Sequence, residues 1–454
     1  MLVRLPAPVT GTISGDDTMS EMRTVRGMRD LMGSEMRVKD YLVQTVTDVF
    51  QLFGYESLDS PVMELWETLS AKGGEDVEAE VFKFTDKGDR EVGMRFDLTV
   101  PLARIVSSNP HLPKPFKRYA IGKAWRYDRP QAGRYREFMQ ADVDVIGSDS
   151  PVADTEVVMV ALEALRRLLG SDYQVRINSR KVLKGLTERA GVADDLAFDC
   201  FRAIDKLDKI GRNGVLDELE ERGIDDSASD FLLDSITLRG SGRTILEDFM
   251  SVMEGSNVGA QGVQELMVMA DIFDECEVAN QIKFDLSLAR GLDYYTGPVF
   301  EVAYLGEPEV GSIGGGGRYD HLIGKFGGPD TPATGISLGI DRLLDILLAK
   351  NIEEKMDSPI SVFIAPIKQP MVKHGMKIMR SLVEVGIPCE IDLMDRPLGK
   401  LLSLSDDRGA QYTIIVGKRD LQKNEVSLRD MTTKETEQVD IDNIVTRMKS
   451  LLGK

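Results

Sequence analysis

The chain is 454 residues long, 42% hydrophobic and 29% charged, the balance of a soluble globular protein of about two or three domains. A formal charge of −19 argues against broad, non-specific binding to nucleic acid, and no apolar run approaches the roughly 20 residues that span a bilayer. Cys200, Cys276 and Cys389, like His111, His321 and His374, stand far apart, which argues against a disulfide framework or a zinc-ligand set and fits a reducing compartment.

Residues 1–20 are rich in turn formers and lack the apolar core of a signal peptide, so they read as a loose extension. From Ser34 to Phe53, apolar residues recur every three or four positions, which predicts a helix that Gly54 stops. Tyr55 to Leu65 is extended and broken by Pro61, whose missing N–H suits a sheet edge or a subunit boundary. Val81–Thr85 and Glu91–Phe96 read as strands around the turn DKGD, with a short helix from Leu98 to Val106.

Lys114 to Gly147 reads as two alternating strands joined by a polar loop over Asp128 to Gly133. Between 114 and 136 it carries eight Lys and Arg against Asp128 alone, a local +7 in an acidic protein. Guanidinium forks match phosphate oxygens, so this stretch is either a phosphate site or a strand edge kept solvated by its charges.

Pro151 opens a helix over Val157 to Leu169, closed by Gly170, and Gln174–Asn178 reads as a strand. Residues 181–280 hold 10 Lys and Arg against 22 Asp and Glu and follow a helical pattern, which predicts an inserted all-helical module of charge −12. Strands return at Ile282–Ala289 and Val299–Leu305. Gly311–Gly317 lacks the GxxxxGK[ST] of a phosphate loop; its glycines signify close backbone approach, to a ligand or to a neighbouring strand. In ARGLDYYTGPVFE (289–301), Arg290 and Asp293 form either a structural ion pair or part of a cluster for an anionic substrate. A helix over Gly339–Leu348 and a charged linker (351–358) precede an alternation of strands and helices that predicts a small α/β domain at 359–454.

The words VRGMRD, MRFDLTVPLAR, WRYDRPQAGRYREFMQADVDVIG, RGLDYYTGPVFEV, GGGGRYD and TGISLGIDRLL together resemble the histidyl-tRNA synthetase family, a class II aminoacyl-tRNA synthetase family, from about Thr24 to Leu452. The resemblance implies an α/β (α+β) fold: an antiparallel sheet flanked by helices, with a helical insertion and a C-terminal anticodon-binding domain. In that scheme the basic hairpin is motif 2, the segment around Pro61 is the dimer-forming motif 1, and Gly335–Leu344 is motif 3. The implied layout is 21–180 and 281–350 for the catalytic domain, 181–280 for the insertion, near the acceptor arm, and 359–454 for the anticodon domain.

The implied activity is ATP-dependent joining of histidine to tRNA(His) in a cytoplasmic homodimer, with Mg²⁺ on the ATP phosphates. By resemblance, Arg126 and Arg290 flank the α-phosphate as the catalytic pair. Asp128 places the nucleotide, and Phe138 and Arg342 hold the adenine. Asp97, Thr99 and Gln140 receive the α-amino group of histidine. Asp144 and Tyr295, beside Tyr294, meet the imidazole, and Arg290 and Gly315 to Gly317 close the pocket. Arg129, Gln131, Arg134 and Arg136 meet the tRNA acceptor end. Bacterial members carry Glu where Asp97 and Asp144 stand, so the shorter acids point to an archaeal or eukaryotic-like branch. A rival is the non-catalytic paralogue that regulates a phosphoribosyltransferase; the retained Arg126, Arg290 and Arg342 and the C-terminal domain weigh against it.

Overall fold

The computed structural model describes residues 23–71, 79–128, 133–238, 242–289, 294–356 and 358–453, and the chain divides into compact units at 1–353 and 354–454. The first helix, Gly33–Leu52, buries Val38, Leu42, Val46, Val49 and Phe50 along one stripe, and Gly54, at φ 76°, turns the chain away from it. The segment interrupted by Pro61 forms two short strands, β1 (Glu56–Ser57) and β2 (Met63–Leu65). With β3 (Lys83–Thr85) and β4 (Glu91–Met94), β2 makes a small antiparallel sheet in the order β2-β4-β3.

The basic hairpin is present as β5 (Phe116–Trp125) and β6 (Glu137–Ile146), in continuous antiparallel register from Phe116 opposite Ile146 to Trp125 opposite Glu137. Helix Pro151–Leu169 starts at its proline, with the Ser150 hydroxyl accepting from the amide of Val152. After β7 (Tyr173–Ser179) the described residues of 180–275 form six helices; the last, Asn257–Glu275, packs on helices Pro151–Leu169 and Arg180–Arg189.

Strand β8 (Ile282–Phe284) is shorter than the sequence suggests, because the Asp285 carboxylate accepts from the amide and hydroxyl of Ser287 and turns the chain. Then come β9 (Pro298–Tyr304), β10 (Ser312–Arg318) and β11 (Ala333–Gly339), the last running straight into helix Ile340–Ala349. The main sheet has the order β1-β5-β6-β11-β10-β9-β7-β8; its six inner strands are antiparallel, and the edge strands β1 and β8 pair in parallel.

The odd-numbered residues Ala141, Val143 and Val145 of β6 are buried on the face covered by the helices Gly33–Leu52, Pro151–Leu169 and Ile340–Ala349, where Tyr119 also meets Phe50 with ring centroids 5.6 Å apart. The even-numbered residues therefore point to the other face. The C-terminal unit is a five-stranded sheet of β12 (Val362–Pro366), β13 (Cys389–Ile391), β14 (Tyr412–Val416), β15 (Glu425–Asp430) and β16 (Thr436–Asp440), in the order β13-β12-β14-β15-β16. Val362, Ile364, Ile378, Leu382 and Ile414 fill the core on one face, and Phe363, Ala365, Leu401 and Ala410 on the other. The final helix begins at Ile444 after a 3₁₀ turn over Ile441–Asn443.

Candidate active site

The floor of the site follows from strand parity and register. Gln140, Asp142 and Asp144 alternate with buried apolar residues along β6 and so share one face. Opposite them stand Gly122, Ala120 and Arg118 on β5, and Gly339, Ser337 and Gly335 on β11; Gly315 on β10 then lies opposite Ser337. Apart from Arg118, the strip of polar side chains is bordered by glycine, alanine and serine, which leaves a trough where larger residues would fill the space. The glycines also serve the sheet itself. A Cβ at Gly316 would overlap the carbonyl of Gly335, and one at Gly314 would come within 2.8 Å of the Ser337 carbonyl. Both meanings that the sequence left open, strand packing and space for a ligand, hold for this cluster.

Two adjoining cavities occupy the trough. The smaller, about 150 Å³, is lined by Asp97, Thr99, Gln140, Asp142, Asp144, Tyr294, Tyr295, Gly315, Gly316 and Tyr319. The larger, about 430 Å³, is lined by Arg126, Asp128, Arg134, Phe138, Gly314 and Arg342, with Glu80 and Asp341. Arg126, Gln140, Gly315 and Ser337 line both, so a ligand in one abuts a ligand in the other.

In the larger cavity cations are held by backbone oxygens. Arg126 donates through Nε to the Phe96 carbonyl at 3.0 Å, and its guanidinium lies 5.2 Å from the centre of the Phe138 ring. Arg342 donates to the carbonyls of Gly133 and Ser312. These carbonyl contacts hold the guanidiniums of Arg126 and Arg342 at the wall of the cavity. Asp341 accepts from the Met139 amide at 2.6 Å and from Arg29 at 3.1 Å, and Arg29 also bonds Asp345, which ties the start of helix Ile340–Ala349 to β6.

The smaller cavity holds an acid cluster. Arg118 is wholly buried; its Nη2 lies 2.8 Å from Asp144 Oδ2 and donates to the Leu98 carbonyl at 3.2 Å, while Nε and Nη1 have no partner. Asp144 accepts from the Tyr319 hydroxyl, and Asp97 accepts from the Val100 amide at 2.9 Å. Burial raises Asp144 above the ordinary carboxylate range, with Arg118 and the Tyr319 hydroxyl opposing. Burial likewise pushes Asp142 up to about 7, against the pull of Arg118 and with the neighbouring Asp144 and Asp97 adding to the rise. Tyr294 and Tyr295, their rings 4.7 Å apart, are held well above the usual phenol range, first by desolvation.

The structure thus brings Asp97, Thr99, Gln140, Asp144, Tyr294, Tyr295, Gly315 and Gly316 into one cavity and Arg126, Asp128, Phe138 and Arg342 into its neighbour. Arg290, Asp293, Arg129 and Gln131 lie outside the described residues. Arg134 lines the larger cavity, whereas Arg136 stacks 3.9 Å over the Tyr127 ring and donates to the Asp128 carbonyl at 3.1 Å.

The basic hairpin is less free than its +7 suggested. Arg118 is interior, Lys117 pairs with Glu156 at 2.5 Å, and Lys123 pairs with Glu137 at 2.7 Å. Sequence reasoning missed Arg118, Asp142, Tyr319 and Ser337 as parts of the site. The signal for Asp142 was present in the alternation of Gln140, Asp142 and Asp144, which puts three polar groups on one face of a strand.

A family model described as histidyl-tRNA synthetase matches residues 27–343, and one described as an anticodon binding domain matches residues 361–451. The chain is 38% identical over 429 residues to the histidine–tRNA ligase of Pyrococcus furiosus, covering 94% of this chain and 99% of that one. It is 36% identical over 454 residues to the histidine–tRNA ligase of Gloeobacter violaceus, covering 93% and 97%. The crystal structure of histidyl-tRNA synthetase from Nostoc sp. PCC 7120 superposes with a TM-score of 0.83 at 28% identity, over 95% of this chain and 99% of that one.

Proposed function

The chain belongs to the histidyl-tRNA synthetase family, and we infer from this that it is an ATP-dependent histidine–tRNA ligase whose amino acid and nucleotide occupy the two adjoining cavities. The observation that carries the reading is the shared wall of Arg126, Gln140, Gly315 and Ser337, which sets a carboxylate in the smaller cavity against a phosphate in the larger. Activation is attack of the histidine carboxylate on the α-phosphorus of ATP. The new P–O bond forms as the bond to pyrophosphate breaks, giving histidyl adenylate. Charge builds on the phosphoryl oxygens, and we assign its stabilisation to Arg126, which lines both cavities, and by resemblance to Arg290.

Phe138 and Arg342 take the adenine, and Asp128 orients the nucleotide. Asp97, Thr99 and Gln140 receive the α-ammonium, and Asp144 and Tyr295, beside Tyr294, receive the ring nitrogens. A buried polar pocket of this kind rejects amino acids without both nitrogens, because its own groups would be left unpaired. In the second step the terminal ribose hydroxyl of tRNA(His) attacks the carbonyl carbon and AMP leaves.

Mg²⁺ would ride on the ATP phosphates, with Glu80 and Asp128 as carboxylates lining that cleft. Its chemistry there is to shield phosphate charge.

The acceptor end of the tRNA meets the loop bearing Arg129, Gln131, Arg134 and Arg136, and the C-terminal domain reads the anticodon; the acidic helices of 181–280 sit as an insertion near the acceptor arm. Exposed Met32, Met36, Tyr41, Val62, Met63 and Leu65 around the first helix and β2 support a second copy of the chain as partner. No helix among the described residues is long and apolar enough to cross a membrane. A role in charging tRNA fits a cytoplasmic enzyme. Histidine-dependent exchange of labelled pyrophosphate into ATP tests the reading. Exchange with histidine alone, lost in Arg290→Ala, is expected; no exchange from folded protein with Mg²⁺ would overturn it.

A further inference from the structure

We propose that Thr296 and Asp320 form a positioning clasp for the histidine pocket, which holds Tyr294 and Tyr295 in place against the imidazole of bound histidine. The proposal rests on the histidine reading of the smaller cavity and deepens it. Both tyrosines line that cavity, whereas Thr296 and Asp320 line neither cavity. The tyrosines lie just ahead of β9, whose first paired residue is Pro298, opposite Ser179. No sheet ladder fixes residues 294–297, so their place depends on individual bonds.

Thr296 makes several of those bonds. Its amide donates to the Arg318 carbonyl at 2.8 Å, its hydroxyl donates to Asp320 Oδ2 at 2.8 Å, and the same hydroxyl accepts from the Asp320 amide at 3.2 Å. The other carboxylate oxygen of Asp320 accepts from the Ala333 amide and from Arg318 Nη1, both at 3.2 Å. Arg318 is itself buried and donates to Asp154 at 2.6 Å and to the carbonyls of Ser148 and Ser150. Asp320 therefore joins two kinds of structure. One oxygen is held by the end of β10 and the start of β11, themselves tied to the start of helix Pro151–Leu169, and the other holds the irregular segment through Thr296.

The far end of the clasp is closely packed. A Cβ at Gly317 would come within 3.0 Å of the Tyr295 ring, the two tyrosine rings lie 4.7 Å apart, and Tyr294 meets Tyr319 edge-on at 6.1 Å. Tyr319 stands between Arg318 and Asp320 in the chain and donates to Asp144. The word RYD thus serves both sides of the imidazole site: its tyrosine orients Asp144, and its flanking residues fix Tyr295 through Thr296. A small shift of Tyr295 lengthens its bond to a ring nitrogen and leaves the nucleotide cavity, which neither tyrosine lines, unchanged.

Pyrophosphate exchange with full-length Thr296→Val, which keeps the side-chain shape and removes the hydroxyl, tests this. The KM for histidine is expected to rise about 3- to 10-fold, the worth of one hydrogen bond, with the KM for ATP within about twofold. Thr296→Ser restores the hydroxyl and is expected to bring the KM for histidine to within about twofold of wild type. Tyr295→Phe separates positioning from general loosening. With the phenol hydroxyl gone, Thr296→Val is expected to add less than about twofold, because residues acting through one contact are non-additive. An unchanged KM for histidine in Thr296→Val, an equal rise for ATP, no rescue by Thr296→Ser, or the full rise persisting beside Tyr295→Phe would overturn the clasp while leaving the ligase reading intact. Absence of histidine-dependent exchange in the wild type would remove both.

Discussion

Replacing Asp142 by Asn should stabilise the empty enzyme at alkaline pH. The carboxyl is raised from 3.8 to about 7, first by burial. In the unfolded chain it ionises near pH 4, so folding must either hold the proton or bury the charge. Below pH 4 the group is protonated in both states and contributes no penalty. As pH rises the unfolded state alone ionises, and the folded state loses ground until about pH 7, above which the difference is constant. A rise from 3.8 to about 7 corresponds to roughly 4 kcal/mol at pH 8. An amide removes the ionisation and keeps the shape, so the variant should recover most of that figure, less the cost of any amide hydrogen left unpaired. Urea unfolding of wild type and Asp142→Asn, each at pH 4 and pH 8 without substrates, measures the difference. The variant's midpoint should exceed the wild type's at pH 8, and the gap should close at pH 4. Equal pH dependence in the two proteins would refute the reasoning, because it would mean that Asp142 carries no ionisation penalty. A site residue that costs stability in the empty enzyme is the expected signature of a group retained for its ligand.

The same pocket yields three more expectations. Arg118→Met should destabilise by about 3–5 kcal/mol at pH 8, since it strands Asp144 and Asp142 without their buried cation, and acidification to pH 5 should restore part of the loss in a chemical melt. Gly316→Ala places a Cβ on the Gly335 carbonyl, so β10 and β11 must separate; a loss of about 1–3 kcal/mol and of histidine-dependent exchange is expected, whereas wild-type exchange rates would show that the strands tolerate the added carbon. Arg342→Ala should raise the KM for ATP about 10- to 100-fold, the worth of a charge-assisted contact, with the KM for histidine within about twofold; equal effects on both would argue against a nucleotide role.

The elements of this fold are legible in the sequence where periodicity is strong. The first helix, the hairpin of β5 and β6 and the alternating C-terminal domain emerge within a few residues of their observed limits. What periodicity does not carry is which face of a central strand meets which neighbour. Arg118 counted as one more surface charge, because nothing local says that it lies opposite Asp144 with both strand faces covered. Asp142 escaped for the same reason: the alternation puts it beside Asp144, but its orphaned oxygen depends on the register of β11 and on Arg118 turning toward another acid. The Gly-rich run could not be read as a strand, since glycines carry no pattern; only the two flanking strands reveal why side chains are absent there. The early end of β8 likewise turns on one side chain, Asp285, capturing Ser287.

The central claim, that these two cavities join histidine to its tRNA, is tested most directly by charging. Unfractionated tRNA would be incubated with the enzyme, ATP, Mg²⁺ and each amino acid in turn, and the esterified fraction read after periodate oxidation and sequencing. The account predicts esterification by histidine alone, confined to tRNA(His) and abolished in Arg126→Ala. Charging with another amino acid, or histidine-dependent adenylate formation with no tRNA esterified, would contradict it.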